Sequence, residues 1–465
     1  MRRHARLFAP LSLVVLISGC PDPHQTCEPG SRHCPDEAVV AEVVPPLSVS
    51  EVESRLEVLG AAFAEAAADG LDAGECSSLV AGYQALYDRD AKVMAARFNV
   101  GAVHEACGAP EKAESIYIEL GKRGYAPALN NLGVLAWQAG DHKRAFELFE
   151  HSVAADQTHA LAARNNLAMA LRERYATNVD ARDFDRAEHE LQNVLAVESG
   201  NRAAYENLAR LYYDRGRLDD PAYLVLANLV VTQAQRVLAA KHEQSADLAN
   251  IRGLLLMQDN DQVHALRAFQ QAAEVDPKHA DANRNIAMIA IRFRDYGTAE
   301  QAIERVIDEE AVAEDVEAWI ALGVAKRGLR KYDEADKAYR HALDVDRKDP
   351  RPWYNLGVMA QDHLVANVAG DDEALNSLYA KARGDYQTFI DGASGRPELA
   401  EAVADAKDRI VIIDDTIETI AKMKELEKAM IELERKAALE KQAEIERLLA
   451  LEAQGQSSEA EEAQD

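Results

Sequence analysis

From about residue 51 onward, apolar residues recur at steps of three and four, the spacing that stacks side chains along one face of an α-helix. Val52, Leu56, Leu59 and Phe63 form the first such stripe. Further along, the stripes come in pairs and the pairs recur. Trp319, Leu322 and Gly323 return as Trp353, Leu356 and Gly357, an offset of 34 residues. Ala335 follows Gly323 by twelve, and Tyr339 and Ala342 come after it at spacings of four and three. The same frame fits Gly253, Ala265, Phe269, Ala272 and Pro277, then Ala287 and Ala299. Looser copies lie upstream: Leu132 and Gly133 with Ala145 and Phe149, Leu167 and Ala168 with Ala187 and Leu191, and Leu208 and Ala209 with Tyr205 ahead of them. Gly101 with Ala113 and Tyr117 starts the series. Two alternating amphipathic helices with small residues at fixed places are what an array of close-packed helical hairpins requires.

These residues, a W-x2-L-G-x2-Y pattern followed by A-x3-F and Pro, resemble the tetratricopeptide repeat (TPR). The resemblance implies an all-α chain, a TPR α-solenoid built as a superhelix of helical hairpins, with about eight units over residues 91–391. It also implies a protein-binding scaffold. Local departures are extra residues at about 175–182, a lengthened second helix at about 221–241, and an insertion at about 365–377. Pro110, Pro221, Pro350 and Pro397 fall at or near expected helix starts, where a missing N–H costs nothing.

The array needs caps, because terminal repeats of a solenoid expose an apolar face. Residues 51–89 lack the repeat pattern and are expected to form an N-terminal helical cap. Residues 397–454 contain neither Gly nor internal Pro and predict one helix of roughly 85 Å at 1.5 Å per residue. Ile410, Ile413, Ile417, Ile420, Met423, Leu426, Met430 and Leu433 follow steps of three and four along it, without a strict heptad. Its first half is expected to cap the last repeat and its second half to stand exposed. Residues 455–465 are polar and acidic and are expected to be disordered.

Charge narrows the partners. The chain has 52 Lys and Arg against 80 Asp and Glu, a net charge of −28. Nucleic-acid binding is built from clustered cations, so nucleic acid is excluded as the main ligand. Aromatic residues make up only 6% of the chain, which agrees with small residues at helix crossings.

The N-terminus sets the compartment. Arg2, Arg3 and Arg6 precede an apolar run at residues 7–17, and Ile17, Ser18, Gly19 and Cys20 follow. A basic region, a short apolar region and small residues form a secretory signal, too short to span a bilayer as a mature helix. The last four residues resemble a bacterial lipobox, which implies a signal peptide at residues 1–19, cleavage before Cys20 and acylation of its thiol. Several acyl chains anchor a protein stably, since each buried methylene contributes ~0.8 kcal/mol. Pro21 after the Cys leans towards the outer membrane, facing the periplasm. No later stretch reaches about 18 residues free of charged and polar groups, so none is expected to span the membrane. Residues 20–48 hold Pro21, Pro23, Pro29, Pro35, Pro45 and Pro46, and predict a semi-extended tether. Besides Cys20 there remain Cys27, Cys34, Cys76 and Cys107, an even number that permits two disulfides in an oxidising compartment. Cys27 with Cys34 and Cys76 with Cys107 are the candidate pairs. No C-x-x-C occurs, and no metal site or cofactor is expected.

Catalytic patterns are missing: there is no phosphate-binding G-x-x-x-x-G-K-[ST], no H-E-x-x-H, no G-x-S-x-G and no dinucleotide fingerprint. The chain is therefore expected not to be an enzyme and to take no small-molecule substrate. His142, His264 and His341 fall in polar parts of second helices and are expected to be solvated. A recurring amide is more informative. Asn99, Asn131, Asn166, Asn207, Asn285 and Asn355 each stand two residues before the small residue of a first helix. Ile251 and Ala321 interrupt the series. An Asn side chain offers two donors and an acceptor, enough to match the groups of an extended peptide backbone. The series resembles the asparagine ladder of superhelical TPR domains, which implies a peptide-binding groove. Asn at this place also serves as a bond between neighbouring helices, and the sequence leaves the two roles open. Trp137, Met169, Leu254, Met257, Met288 and Ile291 accompany the line, as groove residues or as core.

Anchor, tether, repeats and missing catalytic motifs together predict a lipid-anchored adaptor that gathers envelope proteins. In overall layout the chain resembles the TPR-repeat lipoprotein of the adventurous gliding-motility machinery. Pilotins of pilus systems and lipoproteins of outer-membrane protein assembly share the anchor and helical repeats in shorter form. A regulator of a cell-wall enzyme is a further reading.

Overall fold

The computed structural model describes residues 47–368 and 371–462. The expected signal peptide, Cys20, Cys27, Cys34 and nearly all of the tether lie outside the described residues. Among the described residues there is no strand. The chain divides into two compact units, one ending at Val275 and the other starting at Asp276.

The first unit opens with α1 (Val49–Asp69) and α2 (Ala73–Arg89). Both begin with a capping box, in which a side chain and a backbone N–H satisfy each other's end group. Ser48 N donates to Glu51 Oε2 at 2.8 Å, and Asp72 N donates to Glu75 Oε2 at 2.9 Å. Five helix pairs follow: α3 (Met94–Ala106) with α4 (Pro110–Lys122), α5 (Ala126–Gln138) with α6 (His142–Ala155), α7 (Leu161–Asn178) with α8 (Ala181–Val197), α9 (Arg202–Leu218) with α10 (Ala222–Ala239), and α11 (Ala246–Gln258) with α12 (Gln262–Val275). The extra residues near 175–182 lengthen α7, which ends at Val179 in the left-handed region. The long second helix at 221–241 is α10. By length and composition α10 is apolar enough to cross a membrane, although it carries Asn228, Thr232, Gln233, Gln235 and Arg236. Ala227, Val231, Ala234 and Leu238 instead pack in the core of the first unit.

The second unit holds three pairs: α13 (Ala280–Arg292) with α14 (Tyr296–Glu304) and the short α15 (Glu310–Ala313), α16 (Val316–Gly328) with α17 (Tyr332–Val345), and α18 (Arg351–Met359) with α19 (Asp372–Gly392). The insertion near 365–377 follows a π-turn at Ala360–Leu364 and holds a 3-10 turn at Val365–Val368 and the start of α19. The long final helix α20 (Ala400–Glu462) starts after a 3-10 turn at Pro397–Leu399. It continues through Gly455, beyond the end expected at 454 and into the segment expected to be disordered. One glycine costs only about 1 kcal/mol in a helix interior, and no proline follows to stop the chain.

Within a pair the helices cross where the small residue of the first meets the ring of the second. A Cβ added at Gly101 would lie 2.6 Å from Tyr117 Cε1, and one at Gly357 would lie 2.7 Å from Tyr386 Cε1. Gly133 meets Phe149, Gly253 meets Phe269 and Gly323 meets Tyr339 in the same way. These rings are fully buried, so the pair of residues that defines the repeat in sequence is also its packing centre.

In five pairs the turn joining the two helices has a position, held by a residue other than Val, at positive φ. Gly108 and Gly140 fill it in two pairs, Asn260 in another, and Arg294 (φ 60°) and Arg330 (φ 62°) in two more. Only Gly adopts that conformation without a steric cost, and Asn tolerates it better than most.

Candidate functional site

The six asparagines lie on the first helices, and the structure separates them by burial. Asn131 and Asn166 are only 4% and 3% exposed. Asn166 Nδ2 donates to Asn130 Oδ1 at 2.9 Å, and Asn130 Nδ2 donates to Asn131 Oδ1 at 3.2 Å. The Asn131 side chain also hydrogen-bonds the Tyr117 hydroxyl, which donates to Glu105 Oε2 at 2.9 Å. One buried polar chain thus runs from α7 through α5 to α4 and α3. Asn99 is half-buried and hydrogen-bonds the Tyr83 hydroxyl of the preceding helix. Asn207 and Asn285 are half-buried on α9 and α13. Asn355 accepts from Arg327 Nη1 at 3.3 Å, and its Nδ2 donates to the Arg351 carbonyl at 3.1 Å.

Burial drives the titration of these partners. It pushes the Tyr83 hydroxyl up to about 12. It raises Tyr117 further, with the Glu105 carboxylate adding to the effect. Glu105 is itself raised, by burial against the bond from Tyr117. Buried polar groups are stable only when paired, so these chains fix how one repeat sits on the next.

Sequence reasoning missed the residue one place earlier. Asn130, Asn165 and Asn250 are buried, and Asn165 Nδ2 donates to Asn201 Oδ1 at 3.3 Å. The doublets Asn130-Asn131 and Asn165-Asn166 were the available clue. At the same place in α9 stands Glu206, buried and accepting from Ser245 Oγ at 2.7 Å. Burial, reinforced by the Asp247 carboxylate, raises its pKa to about 7. Asn283, also missed, donates to the carbonyls of Pro277 and His279 at 3.0 Å each and pins the turn before α13.

The second unit contains a charge cluster with no counterpart in the repeat pattern. Lys326 Nζ lies 2.8 Å from Glu304 Oε1, 2.6 Å from Glu334 Oε2 and 3.2 Å from Glu300 Oε1, and Lys331 Nζ reaches both Glu300 oxygens at 2.8 Å. Burial opposes the charge on Lys326, but the bonds to Glu304, Glu334 and Glu300 outweigh it and raise its pKa. The cluster ties α14, α16 and α17 together, and every charge in it has a partner.

Of the apolar companions, Trp137 and Met169 are buried, Leu254, Met257 and Ile291 are half-buried, and Met288 is 60% exposed. His142 and His341 are exposed, but each ring sits against a tryptophan, Trp137 at 4.4 Å and Trp319 at 3.9 Å between centroids. His264 pairs with Asp261 at 2.7 Å. His279, by contrast, is buried and caps α13, its Nδ1 accepting from Ala282 N at 3.1 Å. Cys76 and Cys107 form a disulfide between α2 and the end of α3, with Cα atoms 6.2 Å apart. Among the described residues no three His, Cys, Asp or Glu side chains converge to hold a metal ion.

Family models for the tetratricopeptide repeat match residues 128–155, 178–227, 252–315 and 316–349. These spans lie within the run of paired helices in both units. The fold is a TPR fold. Similar solved structures include the MamA protein (21% identity, 40% of this chain and 94% of that chain, TM-score 0.29). Pseudomonas aeruginosa pilF is another (16% identity, 49% and 94%, TM-score 0.37). The APC/C hetero-tetramer Cut9-Hcn1 is a third (16% identity, 63% and 53%, TM-score 0.46). No curated protein matches in sequence. TPR repeats are protein-interaction scaffolds, so the first-helix side of each unit is the candidate binding surface.

Proposed function

We propose that the protein is a lipid-anchored periplasmic scaffold of the outer membrane, gathering protein partners of an envelope-spanning machine through its TPR units. The observation that carries this reading is the division among the recurring amides. Asn131 and Asn166 are almost fully buried, while Asn207 and Asn285 are half-buried and keep part of their surface open on first helices. Met288, one turn beyond Asn285, adds an exposed, flexible apolar group able to fit varied side chains. An amide beside a thioether suits an extended peptide segment, whose backbone takes the amide and whose side chain takes the methionine. The lipobox-like residues ending at Cys20 and the Pro-rich tether support the anchor, and the strongly acidic composition supports basic partners. The machine proposed is the gliding-motility apparatus, on overall layout.

The test is affinity purification of the tagged protein from its native membrane with mass spectrometry, repeated with Asn207→Ala and Asn285→Ala. Loss of one set of partners with retained thermal stability is the expected result. A native pull-down with no protein partner overturns the scaffold. Cys20→Ser should release the protein from the membrane fraction. Deletion should abolish single-cell gliding and leave pilus-driven movement intact; unchanged gliding rejects that assignment.

A further inference from the structure

The C-terminal helix carries an apolar face that no other described part of its own chain covers. Up to Lys424 it is held to the last helix pair. Ala406 and Ile413 are fully buried in a cluster with Trp353, Tyr354 and Phe389. Arg409 reaches Asp362 at 3.1 Å and Asp405 at 2.7 Å, and Lys424 Nζ lies 3.1 Å from Asp372 Oδ2. Over residues 425–451 every residue is exposed. That stretch is about 40 Å long at 1.5 Å per residue. An isolated exposed helix is expected to be polar all round and laced by ion pairs. This one is not. Leu426, Met430, Leu433, Ile445 and Leu448 are all more than 48% exposed. At 100° per residue they fall within roughly a third of the helix circumference, with Ala437 among them and Ala438 beside them.

Charge indicates what covers this face. The exposed stretch 425–451 carries both signs, five Lys and Arg and seven Asp and Glu. A partner of one sign would match only one set of these groups, and a copy of the same segment matches both. Glu434 and Lys441 share the apolar face, placed symmetrically about Ala437 and Ala438.

We propose that a second copy of the chain covers this face, the two α20 helices running antiparallel about a two-fold axis beside Ala437 and Ala438. In that register Glu434 of each copy faces Lys441 of the other, and Met430 faces Ile445. The interface is isologous, so every pairing occurs twice. The two alanines at the centre let the backbones approach, and the leucines and methionines close the contact on either side. A seam without a regular heptad suits two straight helices crossing over a limited length rather than a long supercoil.

Sedimentation of the full chain tests this. A dimer is expected at micromolar concentration. Met430→Glu with Ile445→Glu should give a monomer of unchanged helix content by circular dichroism, because both side chains are exposed within one chain. Glu434→Lys or Lys441→Glu alone should weaken self-association by about tenfold, and the two together should restore it. Ala437→Cys should capture the dimer on oxidation and Leu426→Cys should not, while Met430→Cys combined with Ile445→Cys should. A chain that stays monomeric, a dimer indifferent to Met430→Glu with Ile445→Glu, or capture by Leu426→Cys alone overturns the proposal.

Discussion

The side-chain amide of Asn166 donates to Oδ1 of Asn130, 36 residues earlier in the chain, at 2.9 Å. Both residues are almost fully buried, so the bond joins the first helices of two successive repeats out of reach of water. Within the asparagine series it separates residues that hold the stack together from residues open to a partner.

Removing one end of that bond leaves the other unsatisfied, at a cost of about 1–3 kcal/mol. Asn166→Ala and Asn130→Ala should each lower stability by that order in chemical denaturation. Because they share one bond, the double variant should cost less than the sum of the two. Asn207→Ala, at a half-buried position, should change stability by no more than about 0.5 kcal/mol. Equal losses at Asn166 and Asn207 would contradict the division of roles.

Arg294 and Arg330 occupy the turn position that Gly108 and Gly140 fill elsewhere. A non-glycine residue in the left-handed region costs about 1–2 kcal/mol, while glycine adds about 0.4–1 kcal/mol of freedom to the unfolded chain. The balance favours glycine. Arg294→Gly and Arg330→Gly should each stabilise the second unit by about 0.5–1 kcal/mol, measured as a rise in denaturation midpoint. Destabilisation by either would mean that the arginine side chain contributes more than the strain it imposes.

Much of the fold was legible because the repeat defines itself through packing. Gly323 and Tyr339 stand 16 residues apart, and that spacing is what places the ring of α17 against the backbone of α16. Burial of the amides was less legible. Asn130 finds its partner in Asn166, 36 residues later, and no local pattern records it. His279 was unreadable for a similar reason: its role as a helix cap depends on the turn that Asn283 pins. The π-turn at Ala360–Leu364 leaves no trace in residue spacing, since its geometry is set by Gln361 and Asp362 meeting Arg409 of a distant helix. The run of α20 past Gly455 was missed because a polar, acidic composition is shared by disordered tails and exposed helices.

The Cys76–Cys107 disulfide closes a loop with a sequence separation of 31. By chain entropy a loop of that size contributes about 3–4 kcal/mol to the folded state. Reduction, or Cys76→Ser with Cys107→Ser, should therefore destabilise the N-terminal part of the first unit. Hydrogen exchange should show faster opening over α1, α2 and α3, with α16 and α17 unchanged. Uniform acceleration over both units would show that the chain unfolds as one block, and no acceleration would show that the disulfide is dispensable.

Glu206 gives the first unit a pH dependence. Its pKa is raised to about 7 by burial and by the neighbouring Asp247, against an ordinary value of 4.5. For a carboxyl raised on folding, the folded state binds more protons than the unfolded state between those two values, so stability falls as pH rises through that window. Full development of the shift corresponds to about 3 kcal/mol. Glu206→Gln keeps a side chain of the same shape that can still accept from Ser245 and carries no charge. The variant should match the parent near pH 4 and exceed it at pH 8, with the gap opening between about pH 4.5 and 7 in thermal or denaturant unfolding of the first unit. Parallel stability curves for parent and variant across that range would mean that Glu206 is ionised in the folded protein and held by Arg202, which lies 3.5 Å away.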